Sequence, residues 1–300
     1  MGAFDSIANN LRQFYDRYYK LLLIIPVAML LFSFFQIGYQ LAATGDFMHR
    51  DVSLKGGITV TIPVAQEYSE SAIRAHFAGK FPGIDLATRI ITGTEPAILL
   101  QADIDPDSPA ADQFFSEVEG FFKVASEQYS VEVTGPTLGR SFFMELLLAV
   151  LVAFALMAIV VFISFRKIVP SLAVLLAVVC NVLFALAMVN ALDIRIGAGG
   201  IAAFLMLIGY SVDTDILLSS RVLKRSEGSV LDRVIDASKT GIMMTATAIA
   251  AIGIALFLTQ SDIIRQIMII LLFGLLADIP NTWIQNAGIL RVYLERKGAA

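Results

Sequence analysis

Six long apolar blocks divide the chain, and their lengths set the first expectation. Residues Leu21–Ala43, Phe142–Phe165, Val169–Ala191, Ile196–Ser219, Gly241–Thr259 and Ile263–Asn286 carry few charges. Each is close to the roughly 20 residues (about 17–25) that cross a hydrocarbon core of about 30 Å as a helix. The pattern predicts a polytopic α-helical membrane protein with six transmembrane helices. Basic residues before the first block and "LAAT" after it look like the flanks of a secretory signal. The apolar core is longer than the roughly 7–15 residues of a signal segment, so an uncleaved anchor is expected. The chain then divides into an N-terminal segment (1–20), a first helix (21–43), an inserted domain (44–140), five further helices (141–288) and a C-terminal tail (289–300).

The inserted stretch changes period. In "SLKGGITVTIP", Ile58, Val60 and Ile62 alternate with other residues, as in a half-buried strand. "YSESAIRAHFAGKF" sets Ala72, Ile73 and Phe77 at helical spacing behind Ser69, a candidate cap. "IDLATRIIT" and "AILLQAD" read as strands joined by the turn signal "GTEP". A second helix follows, with Ser108 as cap, Pro109 at its first position, and Phe114, Val118, Phe121, Phe122 and Ala125 on one face. "VEVTG" closes the series as a short strand. Strand, helix, strand, strand, helix, strand is the order of a ferredoxin-like α+β domain.

Charge sets an orientation. Arg12, Arg17 and Lys20, then Arg166 and Lys167, then Arg221, Lys224, Arg225, Arg233 and Lys239, and finally Arg291, Arg296 and Lys297 occupy alternate flanks of the blocks. The other short connections hold only Arg195 and Arg265. Cytoplasmic loops are the basic ones, so both termini are expected in the cytoplasm and the ferredoxin-like domain outside, in a multi-pass protein of the cell membrane. The fourth connection, with Asp232 and Asp236 among basic residues, reads as a solvated surface helix.

Composition narrows the function. Hydrophobic residues make up 57%, charged residues 16%, and mean hydropathy is +0.75. A net charge of −4 leaves no basic footprint for nucleic acid. Cys180 is the only cysteine and falls in the third block, which excludes an internal disulfide and a cysteine zinc site. His49 and His76 lie far apart without companion ligands at metal spacing. No cofactor, no metal and no enzymatic constellation is expected; a binding or moving module is.

The chemistry sits inside the membrane. "GYSVDTDILLSSRVLK" brings Asp213 and Asp215 into the fourth block, and "LLADIPNTW" brings Asp278 into the sixth. On a rise of about 1.5 Å per residue all three acids fall in one layer, roughly 20–30 Å from the outer surface. Tyr210, Ser211, Thr240, Thr245 and Thr247 enter the same layer. Asp213 and Asp215 are about 200° apart around a helix, so one can face the core and the other a partner. Asp215 shares a stripe with Ser211 and Ser219. Intramembrane acids mark proton relays or gates; a wet interfacial zone, or pairing with Arg221 or Lys239, is the structural alternative. Pro280 is expected to free the carbonyl of Leu276. Asn181 and Asn190 read as hydrogen-bonding neighbours of adjacent helices, and Gly197, Gly199 and Gly200 as a close-packing cluster.

Three stretches carry a family resemblance. "DVSLKGG" (Asp51, Gly56, Gly57), "VTGPTLGRSF" (Gly135, Pro136, Gly139) and "GYSVDTDILLSSRVLK" (Gly209, Tyr210, Ser211, Arg221) resemble, in order, motifs of the SecF protein-export membrane proteins, above all the archaeal type. That resemblance implies the SecD/SecF family of the resistance-nodulation-division superfamily, in which two six-helix halves each carry an external domain. It implies a SecD-like partner for the missing half, association with the Sec translocation channel, and unfolded secretory polypeptides as clients. Bacterial relatives are held to couple this to proton flow. Their motif places one acid where Thr214 stands here, and their fifth helix begins with an arginine where the nearest cation here is Lys239. A small-molecule or ion transporter of the same superfamily, and an architectural subunit without coupling, remain the alternative readings.

Overall fold

In the computed structural model, residues 13–64, 68–91, 96–224, 228–259 and 261–297 are described. Arg12, Arg225 and most of the "GTEP" turn lie outside them. The first long helix, α1 (Gln13–Thr44), is followed by a short helix α2 (Val52–Lys55) that the sequence pattern did not announce. Asp51 caps it, accepting a hydrogen bond from the Ser53 N–H at 2.9 Å. Strand β1 (Gly57–Pro63) begins only after the glycine pair. Helix α3 (Glu70–Lys80), strands β2 (Leu86–Ile91) and β3 (Ala97–Ala102), helix α4 (Pro109–Phe122) and strand β4 (Ser130–Thr134) complete the domain.

The sheet order is β2-β3-β1-β4, antiparallel throughout, which is the ferredoxin-like arrangement. Ile58, Val60 and Ile62 of β1 are fully buried against Ile73 and Phe77 of α3 and Phe114 and Val118 of α4. Thr59 and Thr61 point to the other face, so the period-2 reading of this strand fixes which side the helices cover. Ser69 and Ser108 do stand at the caps of α3 and α4, yet neither side chain makes the capping bond. Ser69 Oγ instead pairs with Ser71 Oγ at 2.8 Å, and the Ser108 hydroxyl donates to the Asp105 carbonyl at 2.7 Å.

Five more long helices follow: α5 (Pro136–Phe165), α6 (Ile168–Ala191), α7 (Ala198–Lys224), α8 (Val230–Leu258) and α9 (Asp262–Pro280). A wide π turn (Asn281–Asn286) joins α9 to α10 (Ala287–Arg296), and α9 through α10 form one continuous span. Among the described residues, six helices are therefore long and apolar enough to cross a membrane. Helices α6, α7 and α9 pack together at the centre, with α1 against α6 and α5 and α8 against α7. Phe35, Leu151, Ile163 and Phe257 point outward from the peripheral helices, apolar surface that suits lipid rather than water.

Most helices extend beyond the apolar blocks that announce them. The fourth connection is not a separate surface helix: Asp232 and Asp236 belong to the first turns of α8, where Val230, Val234 and Ala237 bury against Trp283 and Leu290. The apolar positions at spacings of three and four among those charges were the signal for this continuation. Residues beyond 288 likewise continue as α10 and bury Leu290 and Leu294.

Two of the glycine motifs meet. A Cβ on Gly56 would lie 2.5 Å from Pro136 Cα, and one on Gly139 would lie 2.6 Å from Gly56 N. Gly56 (φ +92°) and Gly57 (φ +132°) also hold left-handed backbone that side chains resist. The first and second motifs are thus two halves of one backbone contact, seating the start of α5 on α2. Gly139→Ala should cost about 1–3 kcal/mol through this overlap, read as a lower melting temperature of the purified protein. Gly120→Ala, on an α4 position with open space around it, should leave the melting temperature unchanged or slightly raised.

Candidate functional site: a carboxylate pair within the membrane

Helical spacing along α7 places Ser211, Thr214, Asp215, Leu218, Ser219 and Val222 on its buried side. Asp213 falls on the opposite side and is exposed. Of the three acids, the structure brings together Asp215 and Asp278, both with no exposed surface. Asp213 is not part of that cluster.

Asp278 lies near the end of α9, two residues before Pro280. The helix runs through the proline and widens into the π turn immediately after it. Such turns often occur at functional sites. This one aims Asn286 towards α7 and turns Thr282 back onto Asp278, while Asn281 bonds to α6. The Tyr15 hydroxyl of α1 donates to the Trp283 carbonyl within the π turn, at 3.2 Å.

Four side chains reach the Asp278 carboxylate, three of them as donors to Oδ1; Thr214 has a single hydroxyl proton and divides it between Oδ2 and the Ser211 carbonyl at 2.9 Å. Asn181 Nδ2 and Ser211 Oγ each lie 2.8 Å from Oδ1, Thr282 Oγ1 lies 3.1 Å from Oδ1, and Thr214 Oγ1 lies 3.0 Å from Oδ2. Asn181 also donates to Ser211 Oγ at 2.7 Å and accepts from Asn281 Nδ2 at 2.6 Å. Asp215 is served differently. Asn286 Nδ2 donates to its Oδ1 at 2.7 Å, and its buried Oδ2 has no partner. Ser219 Oγ and Asn286 Oδ1 beside it are also without partners.

The remaining candidates divide. The Tyr210 hydroxyl lies in range of Thr245 on α8, though neither makes a well-formed hydrogen bond. Thr240 and Thr247 are exposed, and Thr247 turns back to the carbonyls of Met243 and Met244. Arg221 pairs with Asp236, at 2.8 Å to its carbonyl and 3.3 Å to its carboxylate, rather than with a membrane acid. Lys239 is exposed. Among the described residues, no lysine or arginine bonds to Asp215 or Asp278. The sequence reading had Asn181 hydrogen-bonding a neighbouring helix, as it does, but did not place it at the acids; it noted Thr214 only as the position of the relatives' acid and passed over Thr282 and Asn286. The dense polar run "NTWIQN", directly after a proline in an apolar helix, was the signal for the last two.

A second junction ties the helices bearing these acids to the sheet domain. The first N–H groups of α7 are taken by side chains from elsewhere: Gly197 N donates to Gln266 Oε1 at 3.1 Å and Ala198 N to Ser53 Oγ at 3.3 Å. Gln266, on α9, also donates to the Arg195 carbonyl. Asp51 packs directly on Gly197, where a Cβ would come within 2.2 Å of its carboxylate. Burial pushes the Asp51 carboxyl up, opposed by its bonds from Ser53. Arg89 of β2 pairs with Asp262 at the start of α9 at 2.9 Å, and Asp85 pairs with Arg195 at 2.5 Å and Lys55 at 3.2 Å. Between the exposed sheet face and the ends of α7 and α9 lies a cleft of about 450 Å³, lined by Thr59, Thr61, Gln101, Arg89 and Asp262 among others.

Together these features define a class: a polytopic membrane protein with a sheet domain between its first two spanning helices and acids buried in its fourth and sixth. Residues 114–296 match the family described as protein export membrane protein SecD/SecF, C-terminal. Over 284 residues the chain is 36% identical to the protein-export membrane protein SecF of Methanocaldococcus jannaschii, covering 92% of this chain and 96% of that one. It is 32% identical to SecF of Methanothermobacter thermautotrophicus, covering 92% and 93%. The crystal structure of SecDF, a translocon-associated membrane protein from Thermus thermophilus, shares the fold, with a TM-score of 0.74 at 18% identity. The match covers 93% of this chain and 38% of that longer one. The chain belongs to the SecD/SecF family of protein-export membrane proteins, and within it to SecF.

Two outcomes follow from the geometry. Asp278→Ala takes this acceptor from the buried Asn181, Ser211 and Thr282 donors, while Thr214 keeps the Ser211 carbonyl, at about 1–3 kcal/mol for each group left unpaired. It should lower the melting temperature far more than Asp213→Ala, which strands nothing; equal losses would contradict the assignment. At the upper junction, burial pushes Asp85 up, but the Arg195 and Lys55 charges outweigh it and hold the carboxyl below 3.8. A depressed carboxyl adds stability that is complete above the unfolded value and lost as pH falls through the folded one. The stability gap between the natural protein and Asp85→Asn should therefore close as the pH drops below 3.8; a gap that stays constant would show that Asp85 is not ionised there.

Proposed function

We propose that this chain is an accessory subunit of protein export that works beside a SecD-like second membrane chain. Its sheet domain engages or follows the emerging unfolded polypeptide at the Sec channel, and the buried acid pair biases its position through protonation. The single observation that carries the reading is likeness to SecF proteins along almost the whole chain, joined to a fold that matches about two fifths of a longer SecDF chain. The second six-helix half is then supplied by another polypeptide.

The face of α7 opposite the acid pair supports that partnership. Ala202, Met206, Gly209 and Asp213 form an exposed stripe at helical spacing, and Gly209 has open space around it. A carboxylate roughly 20 Å along a spanning helix is costly in lipid, so a second chain bearing a donor or cation is the occupant that suits it. The basic flanks of the spans favour cytoplasmic termini and an external sheet domain.

The cleft of about 450 Å³ favours one other reading, a transporter of a small polar solute. Depletion separates the two, since accumulated secretory precursors support the export role while intact secretion with retention of one solute supports the other. For the partnership, gentle purification from native membranes should recover a second six-span chain, and Asp213→Leu should release it without lowering the melting temperature. Recovery of a lone monomer, or of homo-oligomers alone, would contradict the proposal.

A further inference from the structure

The hairpin of α5 and α6 has two unlike sides at the end of the bundle opposite the sheet domain. On one side Val161 and Phe165 of α5 and Val174 of α6 bury against Ile216 and Leu223 of α7. On the other the two helices leave a groove of about 360 Å³, walled by Ala158, Ile159, Phe162 and Ile163 of α5 and by Ile168 and Leu172 of α6. Ser171 is the one polar residue lining it, and its hydroxyl donates to the Lys167 carbonyl at 2.9 Å. No side chain in the groove is left to hydrogen-bond a polar ligand, so the groove suits hydrocarbon.

Arg166 and Lys167 make up the whole turn between the helices, and Ile163 and Ile168 bring the groove up to that turn. Both cations are exposed. Neither is the residue its backbone favours. Arg166 closes α5 at φ +51°, a left-handed conformation that glycine adopts freely. Lys167 is the N-cap of α6, where Ser, Thr, Asp or Asn would cap the helix. A cation past the end of α5 suits that helix's dipole, but one at the start of α6 opposes it. A topological role explains the sign of these charges but not their place at the mouth of an apolar groove.

Nor do carboxylates occupy them. At the same end of the bundle Arg221 pairs with Asp236, and Arg291 with Asp16 and Glu295. Among the described residues, no carboxylate pairs with Arg166 or Lys167. The guanidinium fork matches a phosphate in two places, and the ammonium adds a point charge. From the turn to Ala158 the groove runs about 12 Å along α5, the depth of the upper part of a lipid chain. We propose that the α5–α6 hairpin binds an anionic membrane lipid, its phosphate on Arg166 and Lys167 and one chain in the groove beside Phe162 and Leu172. The bound lipid braces the hairpin against α7, whose Ile216 adjoins Asp215.

Lipid retention by the full chain tests this. The protein is reconstituted in phosphatidylcholine bilayers with a minor share of phosphatidylglycerol and released into mild detergent. Native mass spectrometry should then find phosphatidylglycerol retained out of proportion to its share. Arg166→Gln combined with Lys167→Gln should lower that preference about tenfold. Ala158→Phe fills the groove with both charges intact and should lower it severalfold. Lys224→Gln, at an exposed cation outside the groove, should leave it unchanged. Glycerol phosphate, a headgroup without chains, should not displace the lipid. A photoreactive group attached at Leu172→Cys should give lipid adducts in native membranes. No preference for phosphatidylglycerol, or one that survives either the charge or the groove variant, would overturn the proposal. So would full displacement by glycerol phosphate, or capture of a protein chain instead of lipid at position 172.

Discussion

One buried carboxylate holds the membrane half of this protein in register. Asp278 sits where α6, α7 and the end of α9 converge, and it accepts hydrogen bonds from Asn181, Ser211 and Thr282, with the Thr214 hydroxyl shared between it and the Ser211 carbonyl. A charge there would be prohibitive alone. With these donors it becomes a point that three elements must all reach, and shifting any of them leaves polar groups stranded in a dry layer. Asp215 feels the same packing with a single side-chain donor, Asn286.

The sheet domain is tied to these helices at their other end. Ser53 and Gln266 take up the first N–H groups of α7, Asp51 packs on Gly197, and Arg89 meets Asp262 at the start of α9. The helices bearing Asp215 and Asp278 are thus the same two that carry the domain above them. A change in how α7 and α9 pack at the acids would reach the domain along these two helices and across the side-chain contacts at their ends. The glycine contact between Gly56 and Gly139 makes the seat of α5 stiff, because no side chain separates the two backbones.

Much of this was legible beforehand because the strongest constraints are periodic. A spanning helix must show a long apolar run, and the ferredoxin-like domain showed its alternation at Ile58, Val60 and Ile62. What escaped was set by tertiary contact. Helix α2 is too short for periodicity, and its cap at Asp51 could be read equally as a loop. The extension of α8 through Asp232 and Asp236 was masked by charge, although Val230 and Val234 beneath carried the helical spacing. At the site, the acids were visible by their cost, but which of them meet depends on rotation about each helix. Asn181 and Thr214 carry no charge and so gave no comparable signal. The departure from the bacterial motif takes on physical sense here: Thr214, standing where relatives have their acid, serves as a donor to the acid on α9.

The claim on which the rest depends is that Asp278 is ionised within the bundle. Carbon-13 NMR of the full chain in lipid, labelled at aspartate side-chain carboxyls and assigned by the signal lost in Asp278→Asn, reads that charge directly. The account predicts an ionised carboxyl at neutral pH whose shift does not move as the pH is raised. A neutral carboxyl at Asp278 under those conditions would contradict it.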